Sequence, residues 1–163
     1  MSEHAPFDRL VQRHRAEIAA YLRRLMGDAH EAEDVAQDTW LRAHRAFGRL
    51  PADANTRAWL YRIATNRART ALRKRGGTLR RTSTIELDAL PGRRVDPTDG
   101  LMVRAVARAV GRLPAKQRAA LVARRFHDLT YEEIGATLGC STESARANVY
   151  QAVRKLREWL EQP

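Results

Sequence analysis

The chain has 163 residues, of which 44% are apolar, and carries 30 Lys or Arg against 19 Asp or Glu for a formal net charge of +11. That is room for one ordinary domain or two small ones, with enough apolar side chain to bury a core, so wholesale disorder is excluded. The basic excess favours a polyanionic partner, either nucleic acid or an anionic membrane surface, and the single cysteine, Cys140, rules out an internal disulfide and a cysteine-based zinc site.

Apolar positions recur at helical spacing from Phe7 to Leu25, through Leu10, Val11, Ile18, Tyr21 and Leu22, and predict a first helix. Gly27-Asp28 breaks it, and a second helix begins near Ala32 with Val35, Thr39, Trp40, Ala43 and Phe47 along one side. After the turn-rich stretch Leu50 to Asn55, a third helix runs from Thr56 to about Arg75 and buries Trp59, Leu60, Ile63, Ala64, Ala68, Ala71 and Leu72. In that helix Arg62, Thr65, Arg69 and Arg73 fall largely on the side away from Trp59 and Ile63, with Asn66 and Arg67 between. The loop around Asn55 offers a place for an unstacked base, and Tyr61 a ring to stack on one.

From Gly76 to about Gly100 the periodicity vanishes among Gly76-Gly77, Pro91-Gly92 and Asp96-Pro97, which reads as a linker. As a flexible coil it spans about 25–30 Å and at full stretch about 80 Å. A helix from Leu101 ends near Gly111, Leu113-Pro114 restarts the chain, and another helix covers Ala115 to Phe126. No convincing alternating strand is present. The expected fold is all-α: two small helical domains, residues 1–75 and 101–163, joined by a flexible linker over residues 76–100.

Thr130-Tyr131-Glu132-Glu133 is a capping box that opens a short helix through Ile134 and Leu138. Gly139 suits the left-handed residue that ends it. After Cys140-Ser141-Thr142 a last helix runs to about Leu160, giving the helix, glycine-containing turn, helix order of a helix-turn-helix. At about 100° per residue, Ala145, Val149, Ala152, Val153, Leu156 and Leu160 share one face of that helix. The other side presents small, amide and arginine side chains, the types that read base edges or grip phosphates. Glu143, Ser144 and Gln151 are assigned to base edges, Arg146 and Arg154 to phosphates, and Asn148 to either, with Ala147 letting the helix sit deep in the groove. Cys140 reads as a small packed residue of the turn.

Charge is segregated in the first domain. Gly27 to Leu41 holds Asp28, Glu31, Glu33, Asp34 and Asp38 without a Lys or Arg, whereas Arg57 to Arg81 holds nine Arg or Lys and no acid. The basic stretch suits phosphates and the acidic one a basic protein partner. His4, His14, His30, His44 and His127 show no metal-ligand spacing, and no Gly-rich phosphate loop or nucleophile triad appears, so neither an enzyme, a metal nor a cofactor is expected. With no secretory signal and no apolar run long enough to span a membrane, the expected location is the cytoplasm.

Three segments carry a family resemblance. Glu33 to Ala43 (EDVAQDTWLRA) resembles the core-polymerase-binding helix of bacterial sigma factors, and Ala58 to Asn66 (AWLYRIATN) their promoter-melting, minus-ten-reading helix. Leu113 to Arg118 (LPAKQR) and Leu129 to Ser141 (LTYEEIGATLGCS) are similar to their minus-thirty-five-reading domain. The order is the family's, and the lack of further domains points to the extracytoplasmic-function (ECF) group of the sigma-70 family. The resemblance implies that Asp34, Gln37, Asp38 and Leu41 bind the β′ clamp helices of core RNA polymerase. It places Asn55, Arg62, Asn66, Arg67 and Thr70 near the minus-ten element, runs the linker through the polymerase between the two DNA-bound domains, and makes the polymerase β subunit a partner as well. An anti-sigma protein is the implied inhibitor. Many relatives carry Gly-Thr-Val-Lys-Ser-Arg where this chain has Glu143-Ser144-Ala145-Arg146-Ala147-Asn148, which bears on the promoter sequence read. The rival reading is a stand-alone helix-turn-helix regulator that acts without polymerase; it leaves the acidic Asp34 to Leu41 helix unexplained.

Overall fold

The computed structural model describes residues 5–75 and 97–162. Seven α-helices and no strand occur among them: α1 Ala5–Met26, α2 Ala29–Phe47, α3 Thr56–Lys74, α4 Pro97–Gly111, α5 Ala115–Phe126, α6 Tyr131–Leu138 and α7 Thr142–Glu161. The all-α expectation holds. The linker reading falls mainly on residues 76–96, outside the described residues, while α4 begins four residues ahead of the Leu101 expected from periodicity.

Local chemistry sets the helix ends. Gly27 takes φ 71°, and its amide reaches back to the Arg23 carbonyl at 2.9 Å, so α1 stops where only glycine turns left-handed without strain. Asp28 then caps α2 by accepting from the Glu31 amide at 2.9 Å, so the helix begins at Ala29, three residues before the start expected at Ala32. Asn55 caps α3 in the same way through the Ala58 amide at 3.0 Å.

Helices α1, α2 and α3 pack on one another as an N-terminal unit, and α4, α5 and α6 pack with α7 as a C-terminal one. The two units are also closed onto each other, with α3 against α6 and α1 against α5. Buried apolar side chains form one cluster that passes through both, from Phe7 and Ile18 to Leu129, Ile134 and Val149. The separate cores suggested by the sequence are therefore joined in this conformation.

That closure corrects the reading of α3. Leu60, Ala64, Ala68 and Leu72 are buried as expected, while Trp59, Ile63 and Ala71 are only partly covered at the core edge. Thr65, placed on the open side by the sequence, and Tyr61, offered as a stacking ring, are both fully buried. Thr65 donates to the Tyr61 carbonyl at 2.7 Å and lies 2.8 Å from the Tyr21 hydroxyl. Tyr61 is therefore no stacking platform here, because α1 and the second unit cover its ring.

Candidate nucleic-acid interface

The helix-turn-helix is built as its sequence dictates. The Thr130 hydroxyl accepts from the Glu133 amide at 3.1 Å, and the Glu133 carboxylate accepts from the Thr130 amide at 2.9 Å, closing the capping box. Gly139 ends α6 at φ 65°, and Ser141 starts α7 by accepting from the Ser144 amide at 3.1 Å. A second glycine, unremarked in the sequence, fixes the angle between the helices. A Cβ on Gly135 would stand 2.8 Å from the Cys140 carbonyl oxygen and 3.3 Å from Ser141 backbone atoms. Half-buried Cys140 is a packed residue of this turn, its amide bonded to the Gly135 carbonyl at 2.9 Å.

On α7, Ala145, Val149 and Ala152 are buried and the expected reading side faces out. Glu143, Ser144, Arg146, Gln151 and Arg154 are exposed and Asn148 is half-exposed. Asn148 donates to the Ser144 carbonyl at 2.8 Å, and Gln151 accepts from Gln117 at 2.9 Å, which orients both amides. Arg146 lies over the Tyr131 ring at 5.1 Å, with Arg124 over the same ring at 4.9 Å. With Arg125, Arg154 and Arg157 these arginines border one groove beside α7. Arg124, Arg125 and Arg157 were missed by sequence reasoning: the packing of α5 against α7 brings the first two to the recognition helix, and Arg157 lies on α7 beyond the stretch assigned to DNA.

On α2, Asp34, Gln37 and Leu41 project into solvent, and Leu41 is 59% exposed. A groove of about 560 Å³ between α1 and α2, lined by Val11, Trp40, Gln37 and Leu41 among others, runs beside them. Asp38 behaves differently. Its carboxylate is held by Arg67 of α3 and by Arg42 at 3.4 Å, so one ion pair ties the acidic face of α2 to the basic helix.

Along α3, Arg62 and Asn66 are exposed, Arg67 and Thr70 half-buried, and the Thr70 hydroxyl donates to the Asn66 carbonyl at 2.9 Å. At the start of the helix the second unit intrudes. Asn55 donates to the Glu133 carboxylate of α6 at 3.1 Å, and Arg57 lies 4.0 Å from the same group. Arg57 also donates to Glu17 of α1 at 3.0 Å and to the His127 carbonyl at 2.6 Å, with its guanidinium over the Tyr61 ring. Burial alone would raise the Glu17 carboxyl, but hydrogen bonds from Arg57, His14 and Tyr61 outweigh it and hold the group below its ordinary range. Burial likewise opposes the charge on Glu133, and the Thr130 amide, Asn55 and Arg57 more than offset it. The His127 ring, 7% exposed, sits edge-on to Tyr21 and Tyr61, and Arg24 donates to its Nε2 at 3.4 Å. Burial first, and the Arg24 charge next, push its pKa down to about 4, so the ring is neutral. Among the described residues no cluster of His, Cys, Asp or Glu is arranged to hold a metal, and no helix is long and apolar enough to cross a membrane.

A capped helix, a left-handed glycine turn and a second helix with an outward polar face define a helix-turn-helix nucleic-acid-binding module, carried beside a second helical unit with a basic helix. Comparison with known proteins sharpens this class. Residues 10–78 match the model for Sigma-70 region 2, and residues 104–156 match that for Sigma-70, region 4. The RNA polymerase sigma-H factor of Pseudomonas aeruginosa is 32% identical over 157 residues, covering 90% of this chain and 81% of that protein. The ECF RNA polymerase sigma factor SigE of Mycolicibacterium smegmatis is 31% identical over 158 residues, covering 94% of this chain, which spans 61% of that protein's length. Among solved structures, CnrH in complex with the cytosolic domain of CnrY superposes with a TM-score of 0.73 at 26% identity, covering 98% of this chain and 90% of that one. The sigma factor RpoE of Bartonella quintana, in complex with the anti-sigma factor NepR, shares the fold with the same TM-score at 24% identity, covering 96% and 98% of the two chains. The chain belongs to the sigma-70 family of RNA polymerase sigma factors, in its ECF group.

Proposed function

We infer that this chain is a dissociable initiation factor that binds core RNA polymerase and directs it to promoters, working in the cytoplasm and performing no chemistry of its own. The observation that carries this reading is the pair of unlike surfaces on one chain. One is the outward face of α7, dressed with Glu143, Ser144, Arg146, Asn148, Gln151 and Arg154. The other is the solvent-facing Asp34, Gln37 and Leu41 of α2 with an apolar groove beside it. A stand-alone regulator has a use for the first surface and none for the second.

In this reading residues 1–75 act as the polymerase-binding and minus-ten domain and residues 101–163 as the minus-thirty-five domain. Asp34, Gln37 and Leu41 contact the β′ clamp helices directly. Asp38 contributes through its pair with Arg67 as well. Arg62, Asn66, Arg67, Thr70 and Asn55 face the opened minus-ten strand, and α7 enters the upstream major groove. Each small domain offers limited surface for DNA, so promoter affinity arises when polymerase fixes their spacing and raises the effective concentration of the second contact. Solved relatives bound to anti-sigma or cytosolic partner proteins support a protein inhibitor of the same kind here. The test is transcription with purified core enzyme. The wild-type chain should give promoter-specific transcripts, and Leu41→Asp should lose association with core while keeping its thermal midpoint. A Leu41→Asp chain that still co-purifies with core would remove the surface assigned to polymerase.

A further inference from the structure

The recognition helix α7 carries one amide whose orientation is set from another helix. Gln151 is exposed on the outward face of α7, and Gln117 of α5, a helix packed against α7, donates from its Nε2 to the Gln151 Oε1 at 2.9 Å. A free glutamine side chain has a donor end and an acceptor end, and either can be turned toward a base. Here the acceptor end is drawn back to α5, so the nitrogen with its two hydrogens is what Gln151 offers to DNA.

The enclosed end of Gln117 fixes the sense of this bond. Its Oε1 is buried and has no partner. Turning the Gln117 amide over would give Gln151 an oxygen to donate to, but it would bury the Gln117 nitrogen where that oxygen now lies. Two unsatisfied donors would then replace one unsatisfied acceptor, and a carbonyl short of a partner is the more tolerable of the two. The pair therefore holds one arrangement. Asn148, one turn earlier, differs in that its amide is tied to the Ser144 carbonyl at 2.8 Å, a bond made within α7 itself.

The sense of the bond decides which base suits the helix. A glutamine free to present both ends pairs with adenine in the major groove, accepting from N6 and donating to N7. A glutamine restricted to donating loses the first of these bonds and sets its hydrogens against the adenine amino group. Guanine shows two acceptors on the same edge, N7 and O6, and answers a donor directly. Resting on the sigma-factor reading of α7, we propose that Gln117 is a positioning residue for promoter recognition: it holds Gln151 as a donor toward the upstream element and so favours guanine over adenine at the base that Gln151 meets.

The experiment uses holoenzyme reconstituted from core RNA polymerase and the full chain, which selects duplexes from a pool with the upstream element randomised; the bound DNA is sequenced. Gln151→Ala identifies the base concerned, as the position whose preference flattens, and wild type should favour guanine over adenine there. Gln117→Leu keeps the bulk and removes the amide, and it should lower the guanine-to-adenine ratio about tenfold, the scale of one base-edge contact. Gln117→Glu reverses the bond, because a carboxylate only accepts: Gln151 then donates to it and presents its oxygen, so the ratio should fall at least as far. Glutamate also suits the first turn of α5, so this variant decides alone if leucine unsettles the helix. Both variants should keep the wild-type preference at every other position, which a general loss of packing between α5 and α7 would not.

A guanine-to-adenine ratio within twofold of wild type in a folded variant overturns the proposal, and so does a wild-type preference for adenine at that base. A wild-type holoenzyme that enriches no upstream sequence defeats the functional reading, whereas a clear upstream element indifferent to residue 117 defeats only the role of Gln117.

Discussion

Acid should weaken this fold through His127. The ring is neutral in the structure, its pKa pushed down to about 4 by burial and by the Arg24 and Arg57 charges, against 6.5 in an exposed histidine. Facing it are Glu17, Tyr21 and Arg24 from α1, Arg57 and Tyr61 from α3, and Asp128 of its own loop. A depressed histidine is taken up by protons first in the opened or unfolded chain, so stability is undiminished above pH 6.5 and is lost as pH falls toward 4. The full shift corresponds to about 3 kcal/mol, and linkage between those two values gives a loss of about 2 kcal/mol between pH 7.5 and pH 5. Glu17 and Glu133 are held below their ordinary range, so their own acid losses come at lower pH and leave this window to His127. Urea unfolding of wild type and His127→Gln at half-unit pH steps isolates the effect. The variant keeps the backbone carbonyl that Arg57 uses and loses the ring edges against Tyr21 and Tyr61, so it starts about 1 kcal/mol less stable but changes less with pH. Equal pH slopes for the two chains across the window would refute a buried neutral His127.

Gly135→Ala should destabilise the chain by about 1–3 kcal/mol through overpacking, despite the helix propensity of alanine, because the obstructing atoms are backbone; denaturation and binding to duplex upstream DNA should both suffer. Asp38→Arg sets a third cation beside Arg42 and Arg67, so it should cost on the order of 1 kcal/mol of stability in addition to core affinity, which a thermal melt beside a pull-down resolves. Arg146→Ala should leave the fold and core association intact and lower the slope of log affinity against log salt by about 1 on duplex DNA carrying the upstream element. An unaltered salt slope would show that Arg146 meets no phosphate.

What could be read from the sequence was whatever is local. The capping box at Thr130, the left-handed Gly139 and the outward side of α7 depend on neighbours within a turn or two, and each stands as its spacing required. Asp28 and Asn55 sit at the starts of α2 and α3 for the same reason. The misplaced residues share a different cause. Thr65 lies at the edge of the apolar stripe of α3, whereas Tyr61, offered as a ring to stack on a base, falls between Ala68 and Leu72; both are buried, with Tyr21 of α1 against each and His127 of the second unit against the Tyr61 ring. No periodicity within one helix records a surface supplied from 66 positions further along the chain, the separation of Tyr61 and His127.

Arg118 and Gly135 make the same point from opposite directions. A lone arginine early in a helix reads as a surface cation, yet here it is among the most buried large side chains, bonded to carbonyls of α1 and α4. A glycine inside a short helix reads as a weak point in it, yet here the Cys140 carbonyl requires it. Both serve junctions between helices, where the cost of a buried charge or a missing side chain is met by geometry that one element alone does not contain. The polar contacts that close the two units, Asn55 to Glu133 and Arg57 to the His127 carbonyl, join positions 78 and 70 residues apart and are hidden from any one helix in the same way.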